Sequence, residues 1–235
     1  MVKRILNTPR QHYRWKVGLL YFFLLTGGLW HILNILQNVM KITASPLIIG
    51  LGIWLILEVW RSQFNKGTVE LASQKLAFII WIVLVLFSTI FVEWIGVNTG
   101  KIFGEYQYSS ILFPFIDTVP LAIGFAWLGM LLSAVTIAQF ISFRWFQQSI
   151  LYVIFMTAGL MILFDFFMEP AAIKLNYWYW INDIVPWQNY VAWFGISAIL
   201  IFIGMKFKLF LQKNNAIPLH AYLAQLLYFL LVYFS

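Results

Sequence analysis

The chain has 235 residues, of which 63% are hydrophobic, 20% aromatic and only 10% charged, and its mean hydropathy is +0.86. Soluble domains are about half apolar and about one quarter charged, so a water-soluble globule, a disordered chain and a disulfide-built secreted domain are excluded. Cysteine is absent, which removes thiolate metal sites and thiol nucleophiles, and the net charge of +7 has to be tested first as a topology signal.

A helix needs about 20 mostly apolar residues to cross a hydrocarbon core of roughly 30 Å. Seven stretches qualify: Val17–Leu36, Ile42–Trp60, Leu76–Ile95, Val119–Phe143, Ser149–Met168, Asn189–Met205 and Ile217–Phe234. The expected fold is therefore all-α, a polytopic membrane helix bundle forming one integral domain over residues 1–235. Lys3, Arg4, Arg10, Arg14 and Lys16 precede the first apolar run, as in a signal peptide. That run is too long for a signal-peptide core and no small-residue cleavage site follows it, so it reads as a retained helix.

Basic residues set the direction. The N-terminal segment and the second, fourth and sixth connections hold nearly all of them, whereas Lys41, Lys101 and Lys174 stand alone in the first, third and fifth. This bias predicts a cytoplasmic N-terminus; with the seven spans, the expectation is a multi-pass protein, placed in a prokaryotic inner (plasma) membrane. The bias also accounts for the positive charge through anionic membrane lipid, with no nucleic acid required. Acids fall the other way: Glu93, Glu105, Asp117, Asp165, Glu169 and Asp183 lie toward the outer side, and only Glu58 and Glu70 toward the inner one.

An internal echo accompanies this asymmetry. Val119-Pro120, followed after five residues by Ala126-Trp127, recurs as Val185-Pro186 and Ala192-Trp193. Each copy opens a helix after an aromatic loop, and each loop follows a helix ending in a carboxylate, Glu93 or Glu169. The pattern suggests two helix–loop–helix units, 76–143 and 149–205, with a site at their interface.

Several chemistries are struck out. The last span has no lysine for a retinal Schiff base, and the three histidines, His12, His31 and His220, are too few and too scattered for a di-iron hydroxylase. Gly96, Gly100 and Lys101 imitate a phosphate loop, but the spacing is one residue short and Ile102 replaces the required Ser or Thr. No metal and no cofactor are expected.

Carboxylates within spans raise a functional hypothesis. Asp165 and Glu169 share a helix face, and Glu93 ends its helix beside Trp94. Around them cluster Phe103, Tyr106, Tyr108, Tyr177, Trp178, Tyr179, Trp180 and Trp187. An acid kept among apolar rings can hold a proton and donate it. Ring faces can stabilise a cation by about 2 kcal/mol or more each when water is excluded, and a second carboxylate can deprotonate a water. These parts suit proton addition to an alkene followed by water capture. The same aromatics also suit an interfacial belt, Asp165 a structural interhelical bond, and Glu105, Asp117 and Asp183 solvated loop charges. Glu58 reads as a local ion pair with Arg61, and His31 with Asn34 as a hydrogen-bonded pair.

The run Glu93-Trp94-Ile95-Gly96-Val97-Asn98-Thr99-Gly100-Lys101-Ile102-Phe103-Gly104-Glu105-Tyr106-Gln107-Tyr108, leading into Val119-Pro120 and Trp127, resembles the signature of the carotenoid biosynthesis proteins, a membrane family. Asp165 to Ala172, with Tyr177-Trp178-Tyr179-Trp180 and Asn189-Tyr190-Val191-Ala192-Trp193, resembles that family's other block. The resemblance implies a carotenoid hydratase, a hydro-lyase of isoprenoid pigments that adds water to the terminal 1,2 double bond of an acyclic ψ-end and leaves a tertiary alcohol. Its substrate would be γ-carotene-like or lycopene-like, and other carotenoid-pathway enzymes could be partners.

On this reading Glu93, Asp165 and Glu169 are the catalytic candidates, with Asp165 or Glu169 donating the proton and Glu93 positioning water. Trp94, Gly96, Gly100, Phe103, Gly104, Tyr106, Tyr108, Trp127, Tyr177, Trp178, Asn189 and Trp193 are the substrate-binding candidates. The glycines would let the loop turn or approach the polyene. A carotenoid-end cyclase and a non-catalytic carotenoid binder or transporter use the same parts and stay open.

Overall fold

The computed structural model describes residues 9–64, 70–146, 149–210 and 215–235. Lys3 and Arg4, the side chains of Arg10 and Glu70, and Lys66 and Lys213 of the second and sixth connections lie outside that description. Seven α-helices run in chain order: α1 (Pro9–Ile32), α2 (Gln37–Phe64), α3 (Glu70–Thr99), α4 (Leu121–Trp145), α5 (Ile150–Lys174), α6 (Trp187–Lys206) and α7 (Ile217–Phe234). Six of them, α2 to α7, are long and apolar enough to cross a membrane. The chain is thus an all-α polytopic bundle.

The sequence-based span α1 requires correction. It extends back to Pro9, so that Arg14 and Lys16 lie within the helix, and α1 falls outside the six. It stops at Ile32, short of Leu36, because Asn34 and Leu36 take left-handed backbone (φ 59° and 53°). Helices α2 to α6 all overrun their expected ends, by one to six residues. The most consequential is α5, which continues through Pro170 to Lys174 and so keeps Glu169 inside a helix. Ser149 caps its start by accepting from the Tyr152 N–H at 3.4 Å.

One helix is central. Of the most apolar stretch of α4, 78% is buried, against 28–39% for the other five spanning helices. It packs against α2, α3, α5 and α7, while α1 lies at the edge on α7. Small residues permit this: a methyl built on Gly129 would stand 3.7 Å from the Gly52 Cα, so α2 and α4 approach closely. The outward faces carry exposed Phe22, Ile42, Phe87, Phe155 and Ile199, the surface expected of a protein whose solvent is lipid.

Polar atoms in the interior are tied across helices. The Trp81 Nε1–H donates to Leu200 O at 2.9 Å, and the Tyr222 hydroxyl to Leu160 O at 2.7 Å. Glu58 is buried at the end of the bundle opposite the aromatic loops. Arg61 reaches it at 3.4 Å, as the local pairing predicts, but Lys16 of α1 is nearer at 2.6 Å, and Trp54 and Asn215 also donate to it. Glu58 therefore joins α1, α2 and the start of α7. No side-chain hydrogen bond joins His31 to Asn34 among the described residues; their link is the backbone bond from Asn34 N–H to His31 O at 3.1 Å, Asn34 is exposed, and His31 Nε2 is buried without a partner.

The loops contain structure that a purely helical expectation omits. Strand β1 (Tyr106–Tyr108) pairs antiparallel with β4 (Trp178–Trp180), in the register Tyr106↔Trp180, Gln107↔Tyr179 and Tyr108↔Trp178. The short strands β2 (Phe115–Ile116) and β3 (Val119–Pro120) form a second pair. Because strand side chains alternate, Tyr106, Tyr108, Trp178 and Trp180 face the bundle. Gln107 and Tyr179 face away, joined by a 2.6 Å bond from the Tyr179 hydroxyl.

Gly104 fixes how these loops meet. Its φ is 114°, and a methyl placed there would stand 2.4 Å from Pro186 Cγ. Gly104→Ala is expected to lower stability by at least about 1–3 kcal/mol, from strained backbone and the clash together. Gly159→Ala, on α5 with nothing within 4 Å, should be neutral or stabilising. Thermal unfolding in detergent checks the pair, and equal shifts for both would refute the packing account.

Candidate functional site

Four helix ends and the β1–β4 ladder converge on one cavity of about 50 Å³. Its wall combines Glu93 from α3, Trp127 with Ile123 and Ala126 from α4, Met168 and Glu169 from α5, and Asn189 and Trp193 from α6. Phe103, Tyr106, Tyr108, Trp178 and Trp180 close it from the loops. This volume takes one or two water molecules.

Each acid has its own set of donors. Glu93 Oε2 accepts from the Tyr106 hydroxyl and, at 2.8 Å, from the Tyr108 hydroxyl; Oε1 accepts from the Trp127 indole at 2.8 Å. A carboxylate offers about four lone-pair sites, so Glu93 keeps one free on Oε1. Glu169 Oε2 accepts from the Trp178 and Trp180 indoles, both at 3.0 Å. Its Oε1 has no hydrogen bond among the described residues and is not sealed in the protein. Asp165 is fully buried behind the wall: Oδ2 accepts from Asn189 Nδ2 at 2.6 Å, and Oδ1 has no partner. Glu93 and Glu169 therefore share the cavity, whereas Asp165 reaches it only through Asn189.

The rings form a continuous frame. Trp127 and Trp193, the two tryptophans of the internal echo, stack at 3.9 Å with planes 20° apart. Tyr106 packs on Trp180 at 5.1 Å, and Tyr108 meets Trp178 edge-on at 5.9 Å. Burial, and then the neighbouring Glu93 carboxylate, push both the Tyr106 and Tyr108 hydroxyls above the ordinary phenol range. Both stay neutral and remain donors.

Several sequence candidates lie elsewhere. Trp94 does not line the cavity; it is partly exposed, and its indole donates to Asp117 Oδ2 at 2.6 Å. Tyr177 is buried but faces a different cavity. The glycines serve the loop rather than the cavity wall. Gly96 makes room for the Phe103 ring, Gly100 (φ 66°) carries the turn after α3, and Gly104 seats Pro186. Glu105, Asp117 and Asp183 are exposed, as expected for loop charges. Trp180, Ile123, Ala126 and Met168 were absent from the sequence-derived site set. Tyr106-Gln107-Tyr108 carries a period-of-two signal, but Trp178-Tyr179-Trp180 is aromatic throughout, and only its pairing with β1 shows that Trp180 faces inward. Among the described residues, no three His, Cys, Asp or Glu side chains cluster as metal ligands would.

Together the bundle and this largely apolar cavity, into which two carboxylates are set, describe a multi-pass membrane protein with a candidate site near one end. The chain belongs to the carotenoid biosynthesis protein family, whose signature matches residues 47–235. It is similar to a bisanhydrobacterioruberin hydratase of Haloarcula japonica, with 28% identity over 117 residues. That match covers 47% of this chain and 40% of the relative. No solved structure matches.

The phenol environment sets a pH expectation. Raised folded-state pKa values for Tyr106 and Tyr108 mean that their contribution to folding is complete below the ordinary phenol value near 10. It is lost above that, as the unfolded chain ionises first. Between pH 8 and pH 11 the native protein should lose more thermal stability than the Tyr106→Phe/Tyr108→Phe double variant. An equal loss would contradict the assignment.

Proposed function

We propose that the protein is a carotenoid hydratase, adding water across the terminal 1,2 double bond of an acyclic polyene end. The observation that carries this reading is that Glu93 and Glu169 face one water-sized cavity walled by aromatic rings. Family membership and the hydratase relative support it. The bias of basic residues supports an N-terminus in the cytoplasm and a site near the outer face of the membrane. The layout in which Trp127 and Trp193 stack supports a site at the interface of two repeated helix–loop–helix units.

Glu169 is the proton donor in this mechanism, because it lines the cavity and its Oε1 has no hydrogen-bond partner among the described residues. Its proton goes to C2 of the alkene, whose π electrons form the new C–H bond and leave a tertiary cation at C1. The indole and phenol rings lining the cavity stabilise that cation. A water held on the free lone pair of Glu93 Oε1 attacks C1, forming the C–O bond, and its proton passes to Glu93. Transfer of that proton to Glu169 through a second water restores both groups, so one water is consumed for each alcohol formed. Asn189 Nδ2 is engaged by Asp165, which leaves its Oδ1 as an acceptor on the cavity side. Asp165 acts here as the positioning residue for Asn189.

The test is expression in hosts that make lycopene and γ-carotene, followed by mass analysis of the pigments. Hydration adds the mass of one water, with label incorporated from ¹⁸O-water and none from ¹⁸O₂; cyclisation leaves the mass unchanged. Glu93→Gln and Glu169→Gln should each lower turnover by about 10²–10⁴-fold while pigment binding persists. Asp165→Asn should cost less. Full turnover in either glutamine variant, or an isomeric product, would overturn the mechanism.

A further inference from the structure

The geometry points to a second binding site in this protein, for the phosphate oxyanion of an anionic membrane lipid. It lies at the same end of the bundle as the carboxylate cavity, where the α1–α2 connection meets the ends of α5 and α7. A cavity of about 370 Å³ opens there, within the range of roughly 300–1,000 Å³ typical of small-molecule sites. Tyr177 lines it, while the next residue, Trp178, lines the carboxylate cavity, so the two are neighbours divided by the approach to β4.

Its polar lining holds two lysines together with Asn34, Gln37, Asn176 and Ser235. Lys41 and Lys174 stand on opposite sides of the sequence gap between α2 and α5, and no Asp or Glu side chain lines the cavity. Neither lysine has a carboxylate partner among the described residues; the polar contact of Lys174 is with Tyr233 O at 3.5 Å. Lysines are sparse at this end of the chain, with Lys101 the only other one in its connections, so two around one cavity are not the residue of a generally basic surface. Helix α2 begins at Gln37 and presents Gln37, Met40 and Lys41 to the same space. The first N–H groups of a helix have no acceptor within it and carry partial positive charge, which favours an anion. His31 also lines the cavity, with its Nε2 turned into the protein, where it has no hydrogen-bond partner.

The surroundings select a lipid over a free anion. Ile32, Leu33, Ile35, Leu36, Val39 and Ile42 form an exposed apolar collar on the α1–α2 connection. An amphiphile can place its phosphate between Lys41 and Lys174 and lay its acyl chains along that collar, whereas inorganic phosphate uses only the polar half. A headgroup bearing its own cation, such as choline, meets the lysines unfavourably. This site is independent of the proposed hydration chemistry.

The experiment uses the full chain, purified in detergent and stripped of lipid, with thermal unfolding as the readout. Phosphatidylglycerol, phosphatidylcholine and inorganic phosphate are added in separate arms. Phosphatidylglycerol at about 100-fold over its dissociation constant should raise the melting temperature by about 5–10 °C. Phosphatidylcholine and inorganic phosphate should each give less than half of that. Lys41→Gln/Lys174→Gln should abolish the selective shift. Asn34→Asp, which keeps both lysines but puts an acid in the cavity, should weaken it and serves if the double variant does not fold. Equal shifts from phosphatidylglycerol in the native protein and the variants would overturn the site. A phosphate shift matching that of phosphatidylglycerol would leave a free-anion site and overturn the lipid assignment, and equal response to phosphatidylcholine would overturn the charge argument.

Discussion

Acids buried away from water must be met by donors, and that requirement organises this molecule. An ionisable group left without partners in a low-dielectric interior costs several kcal/mol or more. Here the donors for Glu93 and Glu169 come mainly from loops rather than from neighbouring helices. Tyr106 and Tyr108 bind Glu93, and Trp178 and Trp180 bind Glu169. Pairing of β1 with β4 sets all four rings on one face at once. The ladder is short, but its register decides whether the carboxylates are satisfied. A slip of one residue would put Gln107 and Tyr179 against the acids and turn the four donors outward.

The rest of the bundle supports that arrangement. The buried helix α4 carries Trp127 to Glu93 and stacks it on Trp193 of α6. Helix α5 continues past Pro170 and so holds Asp165 and Glu169 on one face, with Asn189 of α6 alongside. At the far end, Glu58 gathers Lys16, Arg61 and Asn215, which fixes the edge helix α1 to α2 and α7. The two polar clusters thus lie at opposite ends of an apolar stack. Between them the helices are joined chiefly by close packing, as at Gly52 and Gly129, and by single bonds such as Trp81 to Leu200.

Much of the fold was legible because hydropathy is a long-range average that tolerates local error. Ile217–Phe234 matched its helix to the residue, and the other spans differed mainly at their ends. The site was legible in part. Glu93 and Glu169 stood out because carboxylates are conspicuous in apolar sequence, and the aromatic loops because of their density. Trp94 was misplaced because adjacent residues on a helix point about 100° apart, so nearness to Glu93 in sequence put it on the outside with Asp117. Tyr177 was misplaced for the corresponding reason in extended chain, where its neighbour Trp178 takes the inward direction.

Composition and the order of residues along the chain determined that lipid is the solvent, that helices are the elements and that most acids and the aromatic loops lie toward one end. These follow from free energies of transfer and hydrogen bonding that each segment carries by itself. Only the tertiary structure decided which acids share a cavity, that Asp165 stands behind Asn189, and that Lys41 and Lys174 border a common space. Those relations depend on register and side-chain direction between segments far apart in the chain. In a sequence apolar on almost every face, no periodic pattern records them.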